Sequence, residues 1–107
     1  ECGLTGANPV ATPGLRLSLA EVGKDNDLEK LRVAAFRGAA AQANYLAADR
    51  IDCQFAAKAI CRWMSTPTEN FWNALKRLCR YLAGLPRLVY SYGWQEVDAV
   101  DVYTDTD

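Results

Sequence analysis

Histidine is absent from this chain of 107 residues. Because histidine is the usual general base near neutral pH and a frequent zinc ligand, its absence excludes His-based catalytic triads and Cys-His zinc sites. No apolar run approaches the roughly 18 residues that a membrane-spanning helix needs, and no basic-then-apolar leader opens the chain. Met64 is the only methionine. The sequence therefore predicts a processed product or a fragment, with no membrane among its partners.

The four cysteines form no CxxC pair. Three of them, Cys53, Cys61 and Cys79, lie among apolar residues at helical spacing, where a reduced cysteine behaves as a small hydrophobe. Cysteines of this kind favour an intracellular, reducing compartment.

The net charge of −1 hides a strong segregation of charge along the chain. Residues 50–87 carry seven basic and two acidic side chains, for a sum of +5, whereas residues 88–107 carry five acidic side chains and no basic one. Because two carboxylates cannot pair with seven bases, surface ion pairs do not explain residues 50–87. This region is therefore expected to attract a polyanion.

Periodicity predicts three helices after an extended connector over residues 1–25. The first helix is expected to start with Asn26 as its cap and to end near Ala48. The low side-chain bulk of its centre, "RGAAAQA", indicates that another helix or a ligand backbone approaches closely there. Its predicted buried face comprises Leu28, Leu31, Ala35, Ala39 and Leu46.

The second and third helices complete a predicted helical region over residues 26–86. The second is expected over about residues 52–65, and the third from a cap at Thr66 to Gly84 in a left-handed conformation. The predicted apolar faces comprise Cys53, Ala56, Ile60, Trp63 and Met64 in the second helix, and Phe71, Leu75, Leu78 and Leu82 in the third.

After residue 86 the periodicity changes to that of β-structure. "RLVYSYGW" is rich in β-forming residues and "VDAVDVYTD" alternates, so two strands joined by a turn near residues 93–98 are expected. The predicted fold class is therefore α+β, with a three-helix bundle followed by a β-hairpin over residues 87–107.

Basic side chains on the outer faces of the second and third helices are candidate nucleic-acid contacts. Such side chains neutralise phosphates without reading the base sequence. An ordinary solvated helix face is the alternative that the composition leaves open. The candidates are Lys58, Arg62, Lys76, Arg77 and Arg80.

The final residues, "DVYTDTD", place Asp105 near Asp107 at the end of the second predicted strand. Two-metal nucleases need several convergent carboxylates, and carboxylate oxygens are ligands that Mg²⁺ prefers. One strand cannot supply the whole set. Asp105 is therefore a candidate metal-binding and catalytic residue of an incomplete site, and a merely acidic strand end is the alternative.

Residues 36–92 and the final "DVYTDTD" resemble the reverse transcriptase of copia-type retrotransposons. The resemblance covers roughly residues 9–107, and the two departures are Gly38 in place of Ser and Ile51 in place of Pro. The positions that match the family pattern are Phe36–Arg37, Tyr45–Leu46, Asp49–Arg50, Asp52, Phe55–Ala56, Met64–Ser65, Pro67–Thr68, Trp72, Ala74, Lys76–Arg77, Arg80–Leu82, Gly84, Asp105 and Asp107.

The resemblance implies a thumb and connection that grip a primer–template, either a DNA–RNA hybrid or a DNA duplex. Residues 87–107 would be the start of an incomplete ribonuclease H domain, with Asp105 as its first metal-binding carboxylate. Mg²⁺ would be the cofactor of the full-length RNA-directed DNA polymerase, and no cofactor and no activity are expected for this chain alone. The rest of the Pol polyprotein would be a further partner, in a cytoplasmic particle or the nucleus.

Two other classes of function are compatible with the residues. One is a small helical protein-interaction module that binds no nucleic acid, with its acidic C-terminus docked on its own basic face. The other is a standalone metal-dependent nuclease, which would have to cleave hybrid RNA with Mg²⁺ unaided.

Overall fold

The computed structural model describes residues 8–14 and 26–106, and the regular structure in these ranges is helical. Helix α1 covers Lys30–Leu46, α2 covers Gln54–Cys61 after a 3-10 turn at Ile51–Cys53, and α3 covers Glu69–Gly84. The predicted three-helix arrangement is confirmed. The rest of the predicted connector, together with Cys2 and Asp107, lies outside the described residues.

The three helices bury their apolar faces against one another. Phe36 of α1, Ile60 of α2 and Leu78 of α3 are almost fully inaccessible to solvent. Burying a side chain of this size contributes roughly 1.5–3 kcal/mol. The rings of Trp63 and Phe71 stack with their centroids 4.9 Å apart, which confirms the predicted core packing of these two aromatics.

The buried face of α1 differs from the predicted one. Of the predicted face, Leu28 and Ala39 do pack in or against the core, but Leu31 is 90 % exposed. The other side chains that pack in or against the core are Val33, Phe36, Ala40 and Ala43. The observed face is rotated by about 100° around the helix axis from the predicted face. Because most side chains in the centre of α1 are alanine, the single Phe36 decides which face is buried.

The helix-capping predictions are wrong for both Asn26 and Thr66, because each helix begins later in the chain. The backbone carbonyl of Asn26 instead accepts a hydrogen bond from the amide of Glu69, at 3.0 Å. The amide of Leu28 donates to the carbonyl of Pro67, also at 3.0 Å. Backbone pairing between the segments that precede α1 and α3 therefore takes the place of the predicted side-chain caps.

The predicted β-hairpin is wrong. Within the described part of the C-terminal segment, residues 85–106, there is no β-strand. Val100 and Val102, on which the predicted alternation rests, are 80 % and 77 % exposed, and Val97 is 86 % exposed. A two-stranded hairpin is marginal in water without another element to cover its apolar face, and the helices do not cover these valines. The described fold is therefore helical and not α+β.

Two of the cysteines behave as predicted and one does not. Cys53 and Cys61 are free thiols, and the Cys61 Sγ donates to the carbonyl of Ala40 at 3.4 Å. This contact confirms the close approach of a second helix to the alanine-rich centre of α1. Cys79 is disulfide-bonded, so the prediction of a reduced cysteine is wrong for this residue.

Residues 8–14 form a strap that runs along α3 and reaches α2, called the N-terminal strap below. A Cβ added to Gly84 would lie 2.4 Å from the Cβ of Pro9, and one added to Gly14 would lie 3.2 Å from the Cβ of Ala56. Helix α3 ends at Gly84 as predicted, but the backbone of Gly84 is not left-handed, so the predicted conformation is wrong. The close approach of Pro9 requires a glycine there instead.

Two glycines of the helices should respond in opposite ways to substitution by alanine. In the middle of α1, no described heavy atom lies within 4 Å of a Cβ added to Gly38. We expect Gly38→Ala to raise the free energy of unfolding by about 0.5–1 kcal/mol, because alanine loses less conformational entropy in a helix. Gly84→Ala should lower it, because the new methyl group would overlap Pro9. Urea denaturation monitored by circular dichroism measures the free energy of unfolding of both variants. A destabilised Gly38→Ala variant would contradict the finding that there is free space around Gly38.

Candidate nucleic-acid interface

A buried ion pair joins Arg50 and Asp52 in the link between α1 and α2. The Nε and Nη2 atoms of Arg50 donate to the two carboxylate oxygens of Asp52 at 3.0 and 2.8 Å. Arg50 is only 7 % exposed, and its Nη1 atom donates to the carbonyl of Leu85 at 2.9 Å. Bidentate pairs of this kind are strong charged hydrogen bonds, so the Arg50 guanidinium is held in one orientation. Its bond to the carbonyl of Leu85 then connects the link to the C-terminal end of α3.

Two tyrosine hydroxyls complete the hydrogen bonding of Asp52. Tyr81 of α3 donates to Oδ2 at 2.6 Å, and Tyr90 of the C-terminal segment donates to Oδ1 at 2.6 Å. The backbone amide of Asp52 donates in turn to the Tyr90 hydroxyl at 3.1 Å. These four side chains, called the polar cluster below, hold three parts of the chain together at one point.

The contacts in the polar cluster keep its charges fixed near neutral pH. The hydrogen bonds from Arg50 hold the pKa of the Asp52 carboxyl well below its usual range, against the opposing effect of burial, with the two tyrosines adding to the decrease. The hydrogen bond to Asp52 and burial raise the pKa of the Tyr81 hydroxyl. Because neither the Asp52 carboxyl nor the Tyr81 hydroxyl titrates near neutrality, the arrangement suits a structural role and not general acid–base catalysis.

Removal of the Asp52 charge should destabilise the chain. Asp52→Asn would leave Arg50 buried without its counter-charge, so we expect the free energy of unfolding to fall by about 3 kcal/mol. Asp49→Asn is the matched control, because Asp49 lies three residues away and is exposed. Its change should stay within about 0.5 kcal/mol. Equal urea midpoints for the two variants would contradict a stabilising role for the pair.

The lowered pKa of Asp52 leads us to expect that the free energy of unfolding decreases in acid. The folded-state pKa of Asp52 is lowered from an ordinary value of 3.8, so its stabilisation is present above that value. It is lost as the pH falls toward the folded-state pKa, because the unfolded chain then binds a proton that the folded chain excludes. Urea midpoints measured between about pH 5 and pH 2 should fall more steeply for the wild type than for Asp52→Asn. Parallel curves would show that Asp52 does not cause the loss.

The predicted phosphate contacts on α2 lie on its solvent-facing side. Lys58 and Arg62 are both exposed, while Ala56, Ala57 and Ile60 of the same helix are buried in the core. Their exposure agrees with the predicted outer face of the helix, and their contact with phosphates stays a prediction. Both side chains are therefore accessible to a polyanion.

The predicted phosphate contacts on α3 are half-buried, and two of them bind the N-terminal strap. The Nη2 of Arg77 donates to Thr12 Oγ1 at 2.6 Å, and the Nε of Arg80 donates to the carbonyl of Asn8 at 2.6 Å. The Nε of Arg77 is buried and makes no hydrogen bond to a described residue. Lys76, on the same helix, is half-buried as well. The basic face of α3 is therefore partly covered.

The acidic C-terminal segment does not cover the bases in the described part of the chain. The ion pairs within residues 8–14 and 26–106 are Arg32 with Glu69 and Arg50 with Asp52, and neither involves residues 88–106. The docking of the acidic end on the basic face, which belongs to the protein-interaction alternative, is therefore not observed there.

Asp105 lies exposed in the C-terminal segment. In the parts of the chain that the structure describes, no three His, Cys, Asp or Glu side chains are placed to hold a metal ion. The second carboxylate of the motif, Asp107, is outside those parts. The catalytic and metal-binding role of Asp105 stays a prediction. Among the described helices, none is both long and apolar enough to cross a membrane.

Sequence reasoning missed the structural roles of three charged residues. Arg37 extends from α1 and donates to the carbonyls of Met64 at 2.8 Å and Ser65 at 3.2 Å, beyond the end of α2. Arg50 and Asp52 are the charged members of the polar cluster. Their positions match the family pattern, but the sequence contains no local signal that tells which distant groups they bind.

The comparison with known proteins identifies relatives among the retrovirus-related Pol polyproteins of transposons. Over 83 residues the chain is 40 % identical to the "Retrovirus-related Pol polyprotein from transposon RE2" of Arabidopsis thaliana and 39 % identical to that from transposon RE1. Each match covers 75 % of this chain and 5 % of the relative, so the chain corresponds to a short part of these proteins. No family model and no solved structure matches. Three quarters of the chain is thus homologous to a Pol polyprotein segment.

Proposed function

We propose that this chain is the thumb and connection segment of a copia-type retrotransposon reverse transcriptase, and that it binds the primer–template duplex. Homology to transposon Pol polyproteins supports the placement within such a protein. The single observation that carries the binding role is the exposure of Lys58 and Arg62 on a helix whose opposite face is fixed in the core. Cations held in this way meet a phosphate backbone without having to be rearranged.

The basic residues are expected to contribute unequally. Lys58 and Arg62 can release counterions from a duplex directly, which makes binding independent of base sequence and sensitive to salt. Arg77 and Arg80 already donate to the N-terminal strap, so each offers a phosphate only its other guanidinium N–H groups. Lys76, which is half-buried, completes the proposed surface.

The proposed role is binding and not chemistry. Asp105 would supply one carboxylate of a ribonuclease H site whose other ligands come from elsewhere in the Pol polyprotein. Mg²⁺ would act in that complete site, since a single carboxylate cannot position two metal ions. The isolated chain is therefore expected to cleave neither strand of a DNA–RNA hybrid.

The salt dependence of binding tests this proposal. We expect the affinity for a fluorescently labelled DNA–RNA hybrid, measured by anisotropy, to fall steeply as salt is raised. A plot of the logarithm of the affinity against the logarithm of the salt concentration has a negative slope. The double variant Lys58→Gln/Arg62→Gln should reduce the magnitude of this slope by about 1.8, or about 0.9 for each lost phosphate contact. Arg77→Gln/Arg80→Gln should lower it by less, because the strap already engages both side chains.

A control variant separates a local contact from a general loss of charge. Lys30→Gln/Arg87→Gln removes the same two charges from exposed positions outside the proposed surface. Its slope should stay close to that of the wild type. If Lys30→Gln/Arg87→Gln reduced the slope as much as Lys58→Gln/Arg62→Gln does, the assignment of the phosphate contacts to α2 would be contradicted. A flat slope for the wild type would contradict duplex binding and favour the protein-interaction alternative.

A further inference from the structure

An aromatic side chain projects from α2 without a role in the fold. Phe55 is 72 % exposed, although its neighbours Ala56 and Ala57 are buried in or against the core. The apolar area of a phenylalanine is large, and water contact with it is unfavourable. The core and the polar cluster both form without this ring. The exposure of Phe55 is therefore not explained by the fold of the described residues.

Phe55 lies on the same stripe of α2 as two of the proposed phosphate contacts. At about 100° per residue, Phe55, Lys58 and Arg62 fall within an arc of about 60°. Arg62 is the C-cap residue and keeps helical dihedral angles, with φ −58° and ψ −23°, so the helical spacing still applies to it. Along the helix axis, Lys58 lies about 4.5 Å and Arg62 about 10.5 Å beyond Phe55.

The charge next to this stripe suits an anionic ligand. Asp52, the carboxylate nearest to Phe55 in sequence, is directed inward, where Arg50, Tyr81 and Tyr90 bind both of its oxygens. The exposed Asp49 precedes the 3-10 turn and lies farther from the two cations along the chain. An apolar ring followed by two cations therefore forms one continuous surface.

We infer that this surface binds an unpaired stretch of nucleic acid, with Phe55 stacked on a base and with Lys58 and Arg62 on phosphates of the same strand. An aromatic side chain beside cations is the arrangement by which single strands are bound without sequence preference. Inside a duplex, neighbouring base pairs already cover both faces of each base. The interior of a duplex therefore offers no free face to a ring, whereas each unpaired base of an overhang can unstack and offer its faces. The inference rests on the proposed function for its two cations and adds Phe55 as the residue that distinguishes paired from unpaired strands.

Two hybrids that differ only in an overhang test this inference. The 107-residue chain is titrated against a labelled blunt DNA–RNA hybrid and against the same hybrid extended by several unpaired nucleotides. We expect the overhang to increase the affinity, and Phe55→Ala to weaken binding of the extended hybrid about tenfold while it changes binding of the blunt hybrid less than twofold. Phe55→Trp should keep the preference for the overhang, because indole also stacks.

Tyr45→Ala is the matched control, since Tyr45 is 84 % exposed on α1 with no basic residue within four positions of it. Its affinity for both hybrids should equal that of the wild type. Phe55→Ala removes an exposed side chain, and an unchanged urea midpoint would confirm that the variant is folded. Equal weakening of both hybrids by Phe55→Ala, or no effect on either, would overturn the inference while duplex binding stands. Absence of wild-type binding to both hybrids would instead overturn the proposed function.

Discussion

The ion pair between Arg50 and Asp52 is the contact on which the arrangement of the helices depends. It lies where α1 passes into α2. It also reaches the carbonyl of Leu85, directly after α3, and the C-terminal segment through Tyr90. A buried ion pair often adds little net stability over an apolar replacement. Its effect here is geometric, because a bidentate pair has one orientation. That orientation fixes the link before α2 to the carbonyl of Leu85 and to the hydroxyl of Tyr90.

The arginines of this chain act mainly on the protein itself. Arg37 and Arg50 bind backbone carbonyls at the ends of α2 and α3, and Arg77 and Arg80 hold the N-terminal strap. A planar guanidinium can reach several acceptors at once, which a lysine ammonium does less rigidly. The count of basic residues in the sequence therefore overstates the basic surface. The accessible cations on α2 are few, and their common stripe matters more than the total charge.

The sequence predicted α2 and α3 better than it predicted α1. In α3, Phe71 and Leu78 lie opposite charged residues, so the hydrophobic contrast determines the buried face. In α1 the alanines give little contrast, and the burial of Phe36 depends on how the other helices pack. The caps at Asn26 and Thr66 failed because backbone pairing between distant segments replaces them, and local patterns do not contain that information.

The candidate site shows the same limit. Exposure of Lys58 and Arg62 follows from the amphipathic pattern of α2, so it could be read from the sequence. The strap on Arg77 and Arg80 could not, because its residues lie more than sixty positions away. The alternating C-terminal valines favoured a hairpin locally, but strand formation depends on a covering partner. Propensity alone therefore misassigned this segment.

The hydrogen bond from Tyr90 to Asp52 also sets the starting point of a tether. Beyond it, residues 91–106 form an arm without regular structure, whose extended length is at most about 55 Å. As a flexible coil the same arm would have an end-to-end distance of roughly 22 Å. Any domain or ligand held by this arm is kept at a high local concentration beside the helices. Tyr90 thus fixes the radius within which a second binding event becomes intramolecular.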